Sequence, residues 1–375
     1  MIAALLEANQ AMLDTSIADA IASSHTPYKG DTLGLDQRPE NTITKELMDY
    51  DQYAVIITEE RGQEANPLAS ATPETVFGAR TFFGCDPCDR SAQLRSFLAA
   101  SSNHKKRVGD VIRQRSTIHN WASQYGQPAP VTGANAALTC VRRGLPFGTV
   151  LLNYITQEVT LACSAGVFHT GIPKGRHALT LDDLCRQRRL TFTQPGRDHY
   201  RMFVTFIGKP ERGYPQNFAA TKLVAPEDMS SYLHYGEPGG PTRILYLTEL
   251  QNRRCPIGLI IANGEKIGEW IHWLPFIRFS HREDDHGEKA LSLFEITQEK
   301  TDFRDGYMMS PTANYSIFRQ THDGTVTMDV DALRRLDNPS KYRGSFLVTS
   351  AGNKYAISLA QQHGYRELRF PPSHS

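Results

Sequence analysis

Thr81-Phe82-Phe83-Gly84-Cys85-Asp86-Pro87-Cys88-Asp89-Arg90-Ser91 is the stretch on which the reading of this 375-residue chain turns. Its first five residues form a short apolar run, which predicts a buried strand over 81–85. The run ends in acid. Pro87 stiffens the turn between Asp86 and Asp89, so that both carboxylates and the Cys88 carbonyl can face one point. From Ser91 the pattern becomes helical, with Leu94, Phe97 and Leu98 on one face. A helix opening there offers free N–H groups and the positive end of its dipole, which suit a phosphate.

A second strand ends in the same way. Tyr53-Ala54-Val55-Ile56-Ile57 is apolar and β-branched, and it runs on to Glu59-Glu60. Carboxylates at the ends of buried strands are costly unless positive charge sits among them. Hard divalent cations such as Mg²⁺ supply that charge and prefer oxygen ligands. They can also activate water, neutralise phosphoryl oxygens and stabilise a leaving oxygen. The plainer alternatives are a solvated turn at Asp86 and Asp89 and a surface charge pair at Glu59 and Glu60. The strand-turn-helix context, with a Glu pair upstream, favours the metal.

Outward from these motifs, Leu5, Leu6, Met12, Leu13, Ile17 and Ile21 predict an amphipathic helix over 2–23. Turn formers follow from Lys29 to Asp36, then a second helix from about Glu40 to Asp49. A basic helical pattern (Lys105, Lys106, Arg107, Arg113, Arg115) covers 104–124. Three strands are expected between Ala136 and Ala165, the last two joined as a hairpin across Ile155-Thr156-Gln157. Beyond residue 173 the chain turns Pro-, Gly- and Arg-rich, which divides it into an N-terminal half, 1–175, and a C-terminal half, 176–375. The second half offers strands at Arg201–Phe206, Arg243–Tyr246, Gly258–Ile261 and Ser345–Thr349, and a helix at Asn353–His363. Alternating strands and helices predict an α/β layered fold.

The charge balance, Lys+Arg 41 against Asp+Glu 40, argues against a nucleic-acid polymer or a membrane as partner. The first residues lack a basic leader pattern and no apolar run is long enough to span a bilayer. A cytoplasmic protein with its six cysteines reduced is therefore expected. Cys85 and Cys88 form a Cys-x-x-Cys, but redox chemistry wants a thioredoxin-like context and structural zinc a second pair. Neither is in the sequence.

Ile57-Thr58-Glu59-Glu60 followed by Asp86-Pro87-Cys88-Asp89-Arg90-Ser91 resembles the inositol monophosphatase/fructose-1,6-bisphosphatase superfamily. Its motif pair is Glu-Glu after a strand and, later, Asp-Pro-(Ile/Leu)-Asp-Gly-(Thr/Ser). The resemblance implies an αβαβα sandwich and a phosphatase using two or three Mg²⁺ ions. Glu59 and Asp86, helped by the Cys88 carbonyl, would hold the first ion, and Asp86 with Asp89 the second. Ser91 would orient the attacking water with Glu59. Asp36 matches the family's acid before its second helix, and with Glu60 it is a further metal or water-positioning candidate. The segments 148–154 with 158–162 resemble the family's hairpin, and 344–351 its final strand and turn. Homodimers are common among such proteins.

Three departures from the pattern stand out. Arg90 replaces a Gly, so either the turn is relaxed or a guanidinium has been added at the phosphate site. The late Trp-Asp is missing, and Gly268-Glu269-Trp270 is its best substitute, which makes Glu269 the candidate to close the second metal site. Insertions around 100–127, 174–240 and 281–320 lengthen the chain.

Arg243 and Lys266 are candidates for binding a substrate phosphate, with an ordinary surface position as the alternative. The basic run at Lys105 is a solvated face or a lid over the site. His281-Arg282-Glu283-Asp284-Asp285-His286 is an exposed loop or a ligand string. The function expected is hydrolysis of a phosphate monoester on a small polyol, sugar or nucleotide by metal-activated water, a diester being the outlying substrate. The alternative is a catalytically silent relative that binds a phosphorylated metabolite or a protein partner.

Overall fold

The structure is a computed structural model that describes residues 1–26, 30–58, 60, 81–100, 105–126, 133–173, 179–187, 189–190, 259–266, 271–281, 289–296, 318–329, 343–352, 354–362 and 365–371. The N-terminal helix expected as one piece is two: α1 (Ile2–Asp14) and α2 (Ile17–Ile21). Thr15 and Ser16 are extended, and the Ser16 hydroxyl accepts from the Asp19 N–H at 3.1 Å. A serine competes for backbone donors and favours an N-cap over a helix interior.

An antiparallel ribbon follows, β1 (Ser23–Thr26) and β2 (Gly30–Leu33). Helix α3 (Gly34–Tyr50) then starts well before the expected Glu40, so that Asp36 lies in its first turn. Gly34 is required there, because a Cβ would collide with the Asp19 carbonyl where α2 crosses α3.

The first sheet is six-stranded among the described residues and runs in sequence order: β3 (Val55–Thr58), β4 (Thr81–Asp89), β5 (Asn135–Arg142), β6 (Leu145–Asn153), β7 (Glu158–Cys163) and β8 (Gly166–Gly171). β3 and β4 are parallel; the rest form an antiparallel meander. The β6–β7 hairpin stands where expected, with Gln157 at φ 55 in its turn. β8 was not anticipated, since the short turn around Gly166 is all that separates it from β7. Side chains alternate faces along each strand. Ile56, Phe83, Leu138 and Val150 face α1 and α3, where Leu5, Met12, Ile43 and Leu47 complete one core. Val55, Ile57, Phe82 and Leu151 enter a second core on the opposite face.

That second core is shared with α8 (Trp273–Phe279) and with a second antiparallel sheet ordered β14-β10-β13-β9. Its strands are β9 (Leu259–Lys266), β10 (Leu291–Ile296), β13 (Arg343–Ser350) and β14 (Tyr365–Glu367). α8 packs against β6, β7 and β8 on one side and β10 on the other. α9 (Lys354–Gln362) packs on β13 and β14. The layers therefore run α, β, α, β, α. A small hairpin, β11 (Phe318–Gln320) with β12 (Val326–Met328), docks through the Met328 N–H on the Gly144 carbonyl at 2.7 Å.

The helix expected from Ser91 is α4 (Ser91–Ala99), but where one basic helix was expected over 104–124 there are two, α5 (Val108–Ile112) and α6 (Thr117–Tyr125). Lys105, Lys106 and Arg107 precede α5 and are exposed, and Arg113 and Arg115 lie between α5 and α6. Asp110 starts α5 by accepting the Arg107 N–H at 3.0 Å. A last short helix, α7 (Leu181–Cys185), opens with Thr180 and Asp183 bonding each other's backbone. Among the described residues no helix is long and apolar enough to cross a membrane.

Candidate active site

The predicted strand end at Cys85 lies too early. β4 runs on through both acids, pairing Asp86 with Ala137 and Asp89 with Asn135. Pro87 and Cys88 stand opposite the single residue Ala136, which is a β-bulge. A proline has no N–H to give to a ladder, so it belongs in such an irregularity. The bulge turns a strict alternation into two acids delivered by one strand end.

Asp86 is 2% exposed and Asp89 7%. Asp86 Oδ1 accepts the Cys88 N–H at 3.2 Å, and the Pro87 carbonyl accepts from the Tyr154 hydroxyl at 3.0 Å.

The helical layer brings further acid to the same side of the sheet. Asp36, in the first turn of α3, is buried, and α3 packs on β4. Burial raises the Tyr154 phenol well above its ordinary pKa, helped by Cys88, Cys85, Asp86 and Asp36. Asp36 from the helix and Asp86 from the sheet thus act on one hydroxyl, which stays protonated and able to donate. Glu60 is buried rather than solvated, and its Oε2 accepts from the Thr32 hydroxyl at 2.7 Å.

Glu40, one helical turn beyond Asp36 on α3, is also buried. Sequence reading passed over it, although its i, i+4 spacing from Asp36 put it on the same face.

Arg90 is the N-cap of α4 with φ 68 and ψ 31, the left-handed conformation that favours glycine. The turn at this departure is therefore not relaxed: the backbone keeps the shape a Gly would take, and a guanidinium has been added. Burial lowers the Arg90 pKa, while Asp89 and then Tyr125 act to raise it. Tyr125, at the end of α6, packs tilted against Trp121 with ring centroids 4.5 Å apart, and Trp121 packs tilted against Phe97 at 5.2 Å. The Tyr125 hydroxyl donates to the Gln93 carbonyl within α4. Arg90 is thereby placed between the acid end of β4 and an aromatic support. Ser91 is the first residue of α4 and is half-buried, at the helix end where N–H groups are free.

Other candidates fall differently. Glu59, Arg243 and Glu269 lie outside the described residues, as does the Lys266 side chain, though its backbone belongs to β9. Of the string beginning at His281, only His281 is described, in a bridge with Lys289. Among the described residues, no three His, Cys, Asp or Glu side chains gather round a common point for a metal. What β4 does present, Asp86, Asp89 and the Cys88 carbonyl, is an all-oxygen donor set, and that chemistry fits a hard divalent cation. Cys85 and Cys88 belong to the core between helices and sheet, while Cys140, Cys163 and Cys185 are free thiols.

No protein-family model and no curated protein matches the chain. Several solved structures do resemble it. The inositol monophosphatase from Anabaena (Nostoc) does so at 10% identity and TM-score 0.49, over 99% of this chain and 95% of that one. CysQ from Bacteroides thetaiotaomicron, a bacterial member of the inositol monophosphatase family, matches at 12% identity and TM-score 0.44, over 93% and 95%. An IMPase/NADP phosphatase complexed with Mg²⁺ and phosphate matches at 10% and 0.44, over 93% and 89%. The structures it resembles include many inositol monophosphatase family members. Likenesses this distant carry no argument about chemistry, which rests on the residues of this chain.

Proposed function

We propose that this chain hydrolyses a phosphate monoester on a small polyol, sugar or nucleotide, with Mg²⁺ held by Asp86, Asp89 and the Cys88 carbonyl. The observation that carries the reading is the bulged end of β4. It buries two carboxylates and runs, through the left-handed Arg90, straight into the N-terminus of α4. Oxygen donors beside a helix N-terminus are what a metal-bound phosphate needs on its two sides. When bound, Mg²⁺ supplies a lowered pKa for water and charge to neutralise the phosphoryl oxygens.

The chain's own groups divide the remaining work. Ser91 and the first N–H groups of α4 receive phosphoryl oxygens, and Arg90 adds a fixed positive charge beside them. Asp86 is held by the Cys88 N–H, so its second oxygen keeps one direction. Glu59 and Ser91 orient the attacking water, as the motif resemblance implies. Glu269 closes the metal site from the C-terminal half, with Arg243 and Lys266 on the substrate. Because phosphoryl transfer needs little covalent help, positioning and charge carry the catalysis. A small phosphorylated metabolite in a cytoplasmic setting is the partner in this reading.

The test is phosphate release from sugar, inositol and nucleotide monophosphates, with and without Mg²⁺, for the wild type and Asp86→Asn. The expected outcome is Mg²⁺-dependent turnover that falls about a hundredfold or more in the variant, since outer-shell partners of a metal already cost about 10- to 100-fold. No release from any compound, together with no Mg²⁺ binding by calorimetry, sinks the proposal. Mg²⁺ binding without turnover on any of them turns the reading to the silent binder of a phosphorylated metabolite.

A further inference from the structure

Tyr154 ends the 148–154 hairpin segment and is not among the predicted site residues, yet its side chain is bonded to the bulge between Asp86 and Asp89. It follows the last residue of β6, is 1% exposed, and reaches across the sheet to a residue 67 positions earlier in the chain. Its position is set from three directions. The Tyr154 N–H donates to the Ala134 carbonyl at 2.8 Å, just before β5. The preceding Asn153 pairs in register with Asn135, which itself pairs with Asp89. Asn153 Oδ1 also accepts the N–H groups of Ile155 and Thr156 at 2.9 and 3.1 Å, which locks the turn that carries the tyrosine. A ring held this firmly is a poor choice for a mobile contact and a good one for a strut.

What the strut meets is the weak point of β4. Pro87 cannot donate to a ladder, and the register of β4 on β5 shifts between Asp86 and Asp89. The peptide planes between Asp86 and Asp89 decide where both carboxylates and the Cys88 carbonyl point. The Tyr154 hydroxyl, donating to the Pro87 carbonyl at 3.0 Å, orients the plane between Pro87 and Cys88.

We propose that Tyr154 is a positioning residue for the cation site, its hydroxyl holding the Pro87 carbonyl so that Asp86, the Cys88 carbonyl and Asp89 converge. The proposal rests on the metal-dependent reading above. It assigns Tyr154 no contact with substrate or metal.

Tyr154→Phe tests it, because the ring and its packing remain and only the donor is lost. Mg²⁺ binding is measured by calorimetry on the full chain beside wild type, with Phe276→Leu in the second core as a control for general loss of stability. The expected result is Mg²⁺ affinity weaker by about 10- to 100-fold in Tyr154→Phe, the range for an outer-shell partner, and unchanged in Phe276→Leu. Phosphate release should need correspondingly more Mg²⁺ and recover at saturating Mg²⁺. If the variant folds poorly, the titrations are repeated in trimethylamine N-oxide, which favours the compact state. Wild-type affinity in a folded Tyr154→Phe overturns the positioning role and leaves the phosphatase reading intact. A wild type that binds no Mg²⁺ overturns both.

Discussion

The two sheets both bury carboxylates, and they do so in opposite ways. In the second sheet, Glu295 of β10 stands directly opposite Arg366 of β14, with Arg366 Nη2 2.9 Å from Glu295 Oε2. That acid has a fixed counter-ion supplied by the chain, and its strand is regular around it. In the first sheet, Asp86 and Asp89 come from one bulged strand end, and Asp36 acts on the same tyrosine hydroxyl as Asp86. Two buried acids at one irregular strand end suit a cation that comes and goes. The difference teaches that a buried carboxylate alone says little about function. Its neighbours and the regularity of its strand say more.

Three substitutions press on that contrast. The largest effect should come from Arg366→Met, which strands Glu295 in the second sheet. Breaking a buried pair from one side costs about 3 kcal/mol, at the low end of the usual range because the Arg366 side chain is 30% exposed. A urea-unfolding free energy lowered by that much, with Mg²⁺ binding unchanged, would mark Glu295 as structural. A shift too small to resolve would erase the distinction between the sheets.

Next, Asp86→Asn should leave stability without Mg²⁺ unchanged or slightly raised, since a buried negative charge is removed. Wild type at Mg²⁺ a hundredfold above its Kd should gain about 2.7 kcal/mol, and the variant little. Thermal melts with and without Mg²⁺ read both at once. Equal gains in the two proteins would remove Asp86 from the metal site.

The smallest effect belongs to Arg90→Gly. Relief of the left-handed backbone, less the extra chain entropy of glycine, should raise stability by about 1 kcal/mol. KM for a phosphate monoester should rise at the same time, because the added guanidinium is gone. A more stable variant with unchanged KM would make Arg90 a strained residue with no part in binding.

Much of this was legible in the residues. The apolar runs at Val55 and Thr81, the helix from Ser91 with Leu94, Phe97 and Leu98 inward, and the β6–β7 hairpin all follow from local period and turn chemistry. The αβαβα layering followed from the motif resemblance and stands in the structure.

Other features were not legible, for identifiable reasons. The helix read over 2–23 breaks because Ser16 caps a new helix, which a hydrophobic period cannot reveal. The basic run at 104–124 looked helical because charge was read as a face, whereas Asp110 starts a separate short helix. β8, β10 and α8 are elements whose pairing and packing partners decide them.

The chain by itself determined which acids end which strands, and placed a non-glycine where the motif calls for glycine. Side-chain period, proline and the order of residues are local properties, and a sequence carries them in full. Only the tertiary structure decided that β4 continues through Asp89 with a bulge, that Asp36 and Glu40 are buried, and that Tyr154 reaches Pro87. Each of these depends on a partner far along the chain. A strand's register, a side chain's burial and a carbonyl's donor exist only once that partner has folded against it.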